Sequence, residues 1–263
     1  MRRILVAAAL VVAMSMPTHV LAANTWGADF SDLWWNHNES GWGANISHQR
    51  EIVFMTLFVY GPDAKPKWYV ASSMTSRGGE PSHAFDGTLY EASGPYLGTA
   101  TFNPSSVALR AVGVTSLVFT AHHLGTLTYS VDGVSVSKAI ERQTFRNNDL
   151  SGSYVGAQIG VKTNCGAANG NSEYSSRFVI DHPGPVITIS ADLGNNLFCT
   201  YTGDYAQYGK VGQIDGSFSC SNGSQGTFFA PDIEASDKGF TGRFFADFGD
   251  SCNESARIGG VKR

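Results

Sequence analysis

The amino-acid sequence predicts an all-β protein: two antiparallel, barrel-like domains following an N-terminal export signal. Three observations carry this expectation. Short runs rich in Val, Ile, Thr, Phe and Tyr alternate with clusters of Gly, Pro, Asn and Asp, which is the pattern of strands and turns. Helical periodicity is nearly absent beyond the first 22 residues. Charged residues are only 15% of the chain while glycines number 30, a composition suited to many short strands and tight turns.

Met1-Arg2-Arg3 is a short cationic start, and Ile4 to Met16 is apolar and uncharged. Pro17 breaks the run, and Val20-Leu21-Ala22 offers a cleavage site. This pattern predicts a secretory signal peptide over 1–22, too short and wrongly flanked for a spanning helix. No other stretch approaches the ~20 apolar residues that a membrane helix needs, so no integral membrane segment is expected. Removing the signal takes away Arg2 and Arg3 and no acid, making the formal charge of −4 more negative by two. An acidic chain without a Lys/Arg cluster is a poor fit to nucleic acid or an anionic membrane. The expected location is outside the cytoplasm, periplasmic or extracellular.

Roughly 240 residues remain, enough for two small domains. The first, 28–146, reads as strands near 41–48, 52–60, 67–74, 84–91, 110–120, 124–131 and 134–145. Asp132-Gly133 is a strong two-residue hairpin signal that sets Val131 opposite Val134 and Tyr129 opposite Val136. The second, 150–263, begins after Asn147-Asn148-Asp149. Its strands are read near 152–160, 173–181, 185–191, 196–205, 211–220, 225–230, 239–248 and 256–262. The order suits a meander of the lipocalin or avidin kind. A pattern with glycine between two apolar or aromatic residues recurs, as in Phe85-Asp86-Gly87-Thr88-Leu89, Leu150-Ser151-Gly152-Ser153-Tyr154, Ile214-Asp215-Gly216-Ser217-Phe218 and Phe240-Thr241-Gly242-Arg243-Phe244. Mid-strand glycine marks bends and close backbone approaches, which small barrels need in order to close. A sandwich is the competing architecture.

All four cysteines, Cys165, Cys199, Cys220 and Cys252, lie in the second domain. An even count in an exported chain argues for disulfides. Gly209-Lys210 fits a two-residue loop with Gly first. The resulting register sets Tyr205 opposite Ile214, Gly203 opposite Gly216, Tyr201 opposite Phe218 and Cys199 opposite Cys220. That last pair is of the close, non-hydrogen-bonded kind, which a disulfide accepts. Cys165 then pairs with Cys252, linking the first and last strands of a closed barrel. The long spacings and absence of C-x-x-C argue against zinc, and no metal or cofactor is expected.

All five tryptophans fall in the first 70 residues, and Trp34-Trp35-Asn36-His37-Asn38-Glu39-Ser40-Gly41-Trp42-Gly43 is the most unusual segment. Trp34, Trp35, Asn36, Glu39, Trp42 and Trp68 are the candidate ligand-binding residues: aromatic faces beside amide and carboxylate groups suit a sugar ring or an aliphatic ligand. The competing reading is that these residues plug one end of a barrel. Neighbouring strand residues face opposite sides, so Trp34 and Trp35 cannot both be core if the segment is extended.

The stretch resembles a module of secreted proteobacterial proteins of unknown function, with the pattern WW-N-P-x-E-S-G-W-G, a Q-G-D turn, an aromatic strand, D-x-x-G-x-P and W-Y/L-V. Trp34, Trp35, Asn36, Glu39, Ser40, Gly41, Trp42, Gly43, Gln49, Pro66 and Trp68 match it. His37 replaces the Pro, Arg50-Glu51 the Gly-Asp, and Lys65 the usual Gly. The resemblance covers about 30–145 and implies an extracytoplasmic β module without a known activity. The second domain resembles small secreted barrels only in general.

No sequence motif identifies a catalytic residue: G-x-S-x-G, H-E-x-x-H and the P-loop are all missing from the sequence. His122-His123 is expected at a solvated hairpin tip, and His37, His48 and His83 converge only if the fold brings them together. The expected function is non-catalytic binding of a small apolar molecule, a glycan or an envelope protein. The alternative is a hydrolase acting on envelope polysaccharide, with Glu39 as acid and Asp63 or Asp86 as possible partners.

Overall fold

In the computed structural model, which describes residues 28–78, 83–98 and 101–263, the chain forms two closed barrels of antiparallel strands. The predicted signal peptide and Trp26 lie outside the described residues. The first barrel comprises β1 (Asp32–Trp35), β2 (Gly43–Gln49), β3 (Ile52–Tyr60), β4 (Pro66–Ser76), β5 (Ala84–Ser93), β6 (Ala108–Ala121), β7 (Leu124–Val131) and β8 (Val134–Arg142). The second comprises β9 (Gly152–Thr163), β10 (Gly170–Asp181), β11 (Val186–Asp192), β12 (Phe198–Tyr208), β13 (Val211–Cys220), β14 (Gln225–Ser236), β15 (Gly239–Asp247) and β16 (Asn253–Lys262). Each is a plain meander whose last strand pairs with its first.

β1 is the strand that sequence patterning overlooked. It is four residues long and pairs with β8 at only two positions, Trp34↔Arg142 and Trp35↔Glu141. Arg142 reinforces this short seam. Its fully buried side chain meets Asp32 at 2.8 Å and donates to the carbonyls of Asp29, Ser31 and His122. Four backbone and side-chain acceptors thus solvate a charge that burial would otherwise penalise heavily.

The hairpin chemistry read from sequence holds. Asp132 and Gly133 both have positive φ, and Val131 pairs with Val134 and Tyr129 with Val136. β12 and β13 pair in the predicted register, from Tyr208↔Val211 through Gly203↔Gly216 to Cys199↔Cys220. The Cys199–Cys220 and Cys165–Cys252 disulfides both form. The glycines lie where closure needs them. A Cβ on Gly216 would sit 2.2 Å from the Thr202 carbonyl oxygen, and one on Gly156 1.8 Å from that of Gly259. The flanking residues of each motif, such as Ile214 with Phe218 and Phe240 with Phe244, are buried in the barrel core.

One device closes the base of both barrels. Asp29 and Asp149 each accept from the backbone N–H two residues on, that of Ser31 and Ser151, at 2.8 Å. The Phe30 and Leu150 N–H groups donate to Nδ1 of His48 and His182, at 3.4 and 3.3 Å. Trp34 Nε1 and Tyr154 Oη donate back to the Phe30 and Leu150 carbonyls, at 2.9 and 2.7 Å. A cation from the last strand lies over each ring: Arg142 at 5.1 Å from Trp34, Lys262 at 5.8 Å from Tyr154. The spelling Asp-apolar-Ser-x-x-aromatic at 29–34 and 149–154 is therefore a repeated structural unit, and Leu150–Tyr154 was recognisable only as a glycine motif.

The bases face each other. The Gly209-Lys210 turn reaches the first barrel, where the Lys210 N–H donates to Asp32 at 2.8 Å and Nζ to Asp29 at 2.5 Å. Tyr208 stacks on His123 with ring centres 3.8 Å apart, and Arg243 donates to His122. The expectation of a solvated His122-His123 tip is thereby corrected: the hairpin is packed against the second barrel.

Candidate functional site

Away from the facing bases, each barrel has an opposite mouth. The two mouths differ, and the difference begins in one turn. Before β2, the turn from Asn36 to Trp42 folds Trp42 onto the core of the first barrel. Trp42 Nε1 donates to Glu39 Oε2 at 3.1 Å, and Lys138 Nζ donates to Glu39 Oε1 at 2.8 Å. Asn36 Oδ1 accepts from the Asn38 N–H, and its Nδ2 donates to the Ala139 carbonyl. His37 contacts Glu141 and Asn38. The polar atoms of this turn are engaged with one another, so the arrangement closes a mouth rather than offering donors to a ligand. The Lys138 hydrogen bond, with that of Trp42, holds the Glu39 carboxyl below its ordinary range.

The six candidate residues are not gathered on one surface. Trp34 is 1% exposed, packed on Phe119 at 4.8 Å, and is corrected from ligand surface to core. Trp35, its neighbour, takes the opposite face and is half-buried. Asn36, Glu39 and Trp42 form the closing turn. Trp68 lies on the outer face of β4, directly across from Phe58, and both rings are about half exposed. His48 and His83 do converge, but on the Phe30 ring, at 5.7 and 5.3 Å. Among the described residues, no group of three or more His, Cys, Asp or Glu is disposed to hold a metal ion.

In the second barrel the corresponding turn precedes β10 and is drawn aside. The Cys165–Cys252 disulfide ties it to the turn between β15 and β16, and Asn169 accepts from the Cys165 N–H at 2.6 Å. Asn169 stands immediately before β10 as Trp42 stands before β2, and its side chain serves its own turn. The mouth therefore holds a partly open cavity enclosing about 60 Å³. Tyr174, Tyr201, Phe218, Phe244 and Phe248 line it, and the Cys199–Cys220 bridge forms part of its wall.

A carboxylate lies inside. Glu254, on the inner face of β16, is 3% exposed and accepts from Gln158 Nε2 at 3.0 Å and Ser172 Oγ at 2.5 Å. Both donors are themselves buried and both use Oε1. Lys162, Glu254's cross-strand neighbour, turns to the rim instead. Its Nζ donates to Tyr174 Oη at 3.2 Å and lies 4.9 Å from the Phe248 ring centre. Burial, aided by the Glu254 charge, pushes the Tyr201 phenol well above its ordinary range, so it is a neutral hydrogen-bonding group. Sequence reading missed this site because its residues are spread from 158 to 254. The available signal was a lone Glu at an inward position of a strand otherwise small or apolar inside, Glu254-x-Ala256-x-Ile258.

No family model and no curated protein matches the chain.

Proposed function

We propose that the protein is an exported, non-catalytic binding protein that holds a small molecule in the distal mouth of its second barrel. The observation that carries this reading is the contrast between equivalent turns. One seats a tryptophan in its barrel, while the other is held aside by a disulfide, leaving a cavity with a buried carboxylate and aromatic walls. A few placed polar groups within an apolar concavity is the usual make-up of a small-molecule site. Two disulfides at the rim fit an oxidising compartment and pre-order the mouth. Among the described residues no helix is long and apolar enough to cross a membrane.

The hydrolase reading finds no support at Glu39. A general acid needs a raised pKa, whereas Lys138 lowers that of Glu39. Asp86 is engaged by Arg77 at 2.7 Å and Asp63 by its own turn.

Native mass spectrometry of protein taken from an exporting host tests the proposal. A mass above that of the denatured, unreduced chain is expected, and it should disappear in Ala246→Leu, which fills the cavity from β15. Equal native and denatured masses, together with no small molecule released on denaturation, would count against a ligand in this mouth.

A further inference from the structure

Glu254 poses a chemical question that its protein partners leave open. A buried carboxylate is costly unless matched by a cation or by enough donors. Here both donors are neutral, and both fall on one oxygen, Oε1. Among the described residues no cation lies within ion-pair distance of this group. Lys162, the nearest along the ladder, is committed to Tyr174 and the face of Phe248. The cavity that Glu254 lines is walled by aromatic rings, and rings hold cations over their faces. The position of the Lys162 ammonium over Phe248 demonstrates that capacity at the rim itself.

Resting on the binding reading above, we propose that the ligand is a small organic ammonium. Its head donates to Glu254 Oε2 and neutralises the carboxylate charge, and its apolar body lies against Phe244 and Phe248. The enclosed 60 Å³ has room for about four water-sized groups, at ~15 Å³ each, so the head enters and the remainder of the molecule extends past the rim. Lys162 is then a competitor. It repels the arriving cation and occupies part of the aromatic surface that the ligand would use.

Three probes of similar shape separate the possibilities: benzylammonium, benzyl alcohol and benzoate. They are titrated into the full chain by calorimetry, with the amide resonances of 158–162, 172–174 and 252–256 reporting where each binds. Benzylammonium is expected to bind at least tenfold more tightly than the other two. Glu254→Gln should weaken benzylammonium at least tenfold and leave benzyl alcohol unchanged. Lys162→Gln, which leaves the backbone pairing of β9 with β16 in place, should tighten benzylammonium several-fold. If benzyl alcohol or benzoate shifts the same resonances with equal or greater affinity, or if Lys162→Gln weakens benzylammonium, the ammonium assignment is wrong and the mouth remains a binding site. If none of the three shifts those resonances, the assignment and the site fall together.

Discussion

Trp34 and Trp35 are adjacent, yet one is a core residue and the other half-solvated. The alternation of a strand dictates that they part company, but only the pairing of β1 with β8 decides which turns inward. Trp34 fills the base of its barrel against Phe30 and Phe119 under the Arg142 guanidinium. Trp34→Ala is therefore expected to cost about 3–5 kcal/mol, the usual price of deleting a large buried ring, whereas Trp35→Ala should cost less than half of that. Urea denaturation of the two variants, followed at a common wavelength in the far ultraviolet, checks the ratio. Glu39 teaches the same lesson about chemistry. Its setting among tryptophans and amides read from sequence as a binding surface, but its two oxygens belong to Lys138 and Trp42. Lys138 lies 99 residues away in sequence, so no local reading could have found it.

At the scale of elements, the recurrent glycines and the cysteine register were legible because strand pairing is a local, two-periodic rule. Gly203 faces Gly216, and the backbones on either side approach closely. Gly216→Val is expected to destabilise the second barrel by about 1–3 kcal/mol, since its Cβ would meet the Thr202 carbonyl at 2.2 Å. Gly184→Ala is the control: nothing lies within 4 Å of the added carbon, and a change within about 0.5 kcal/mol is expected. Thermal unfolding of both variants decides the matter. β1 escaped notice for the opposite reason. Four residues carry too little alternation to register as a strand, and closure depends on Arg142 as much as on the ladder.

For the whole molecule, the contact between the two bases determines behaviour that neither barrel has alone. His122 accepts from Arg243, and burial first, then the Arg243 charge, pushes its pKa down to about 4. Asp232 opposes this shift, while Arg142 and His83 add to it. An unfolded histidine titrates near 6.5. The unfolded chain thus binds the extra proton first, and the neutral His122 contributes stability fully above about pH 6.5. That contribution, at most about 3 kcal/mol, declines as pH falls and is gone below about pH 4. Calorimetry should show the thermal transition dropping between pH 6.5 and 4, and His122→Asn should flatten that part of the profile. An unchanged slope in the variant would place the titrating group elsewhere.

What the sequence determined by itself was everything governed by short-range rules: all-β character, the hairpin turns, the glycine bends and the Cys199–Cys220 pairing. These follow from steric limits on the backbone and from the two-residue period of a strand, which act within a few residues of one another. Tertiary structure alone decided which mouth is open. The turn before β2 and the turn before β10 are both plausible caps, and a disulfide to Cys252, far along the chain, holds one of them aside. Closure then set Glu254, Gln158 and Ser172 together in one wall, because β9 pairs with both β10 and β16. A barrel joins the ends of its sequence, and a site built across that joint is invisible until the ends have met.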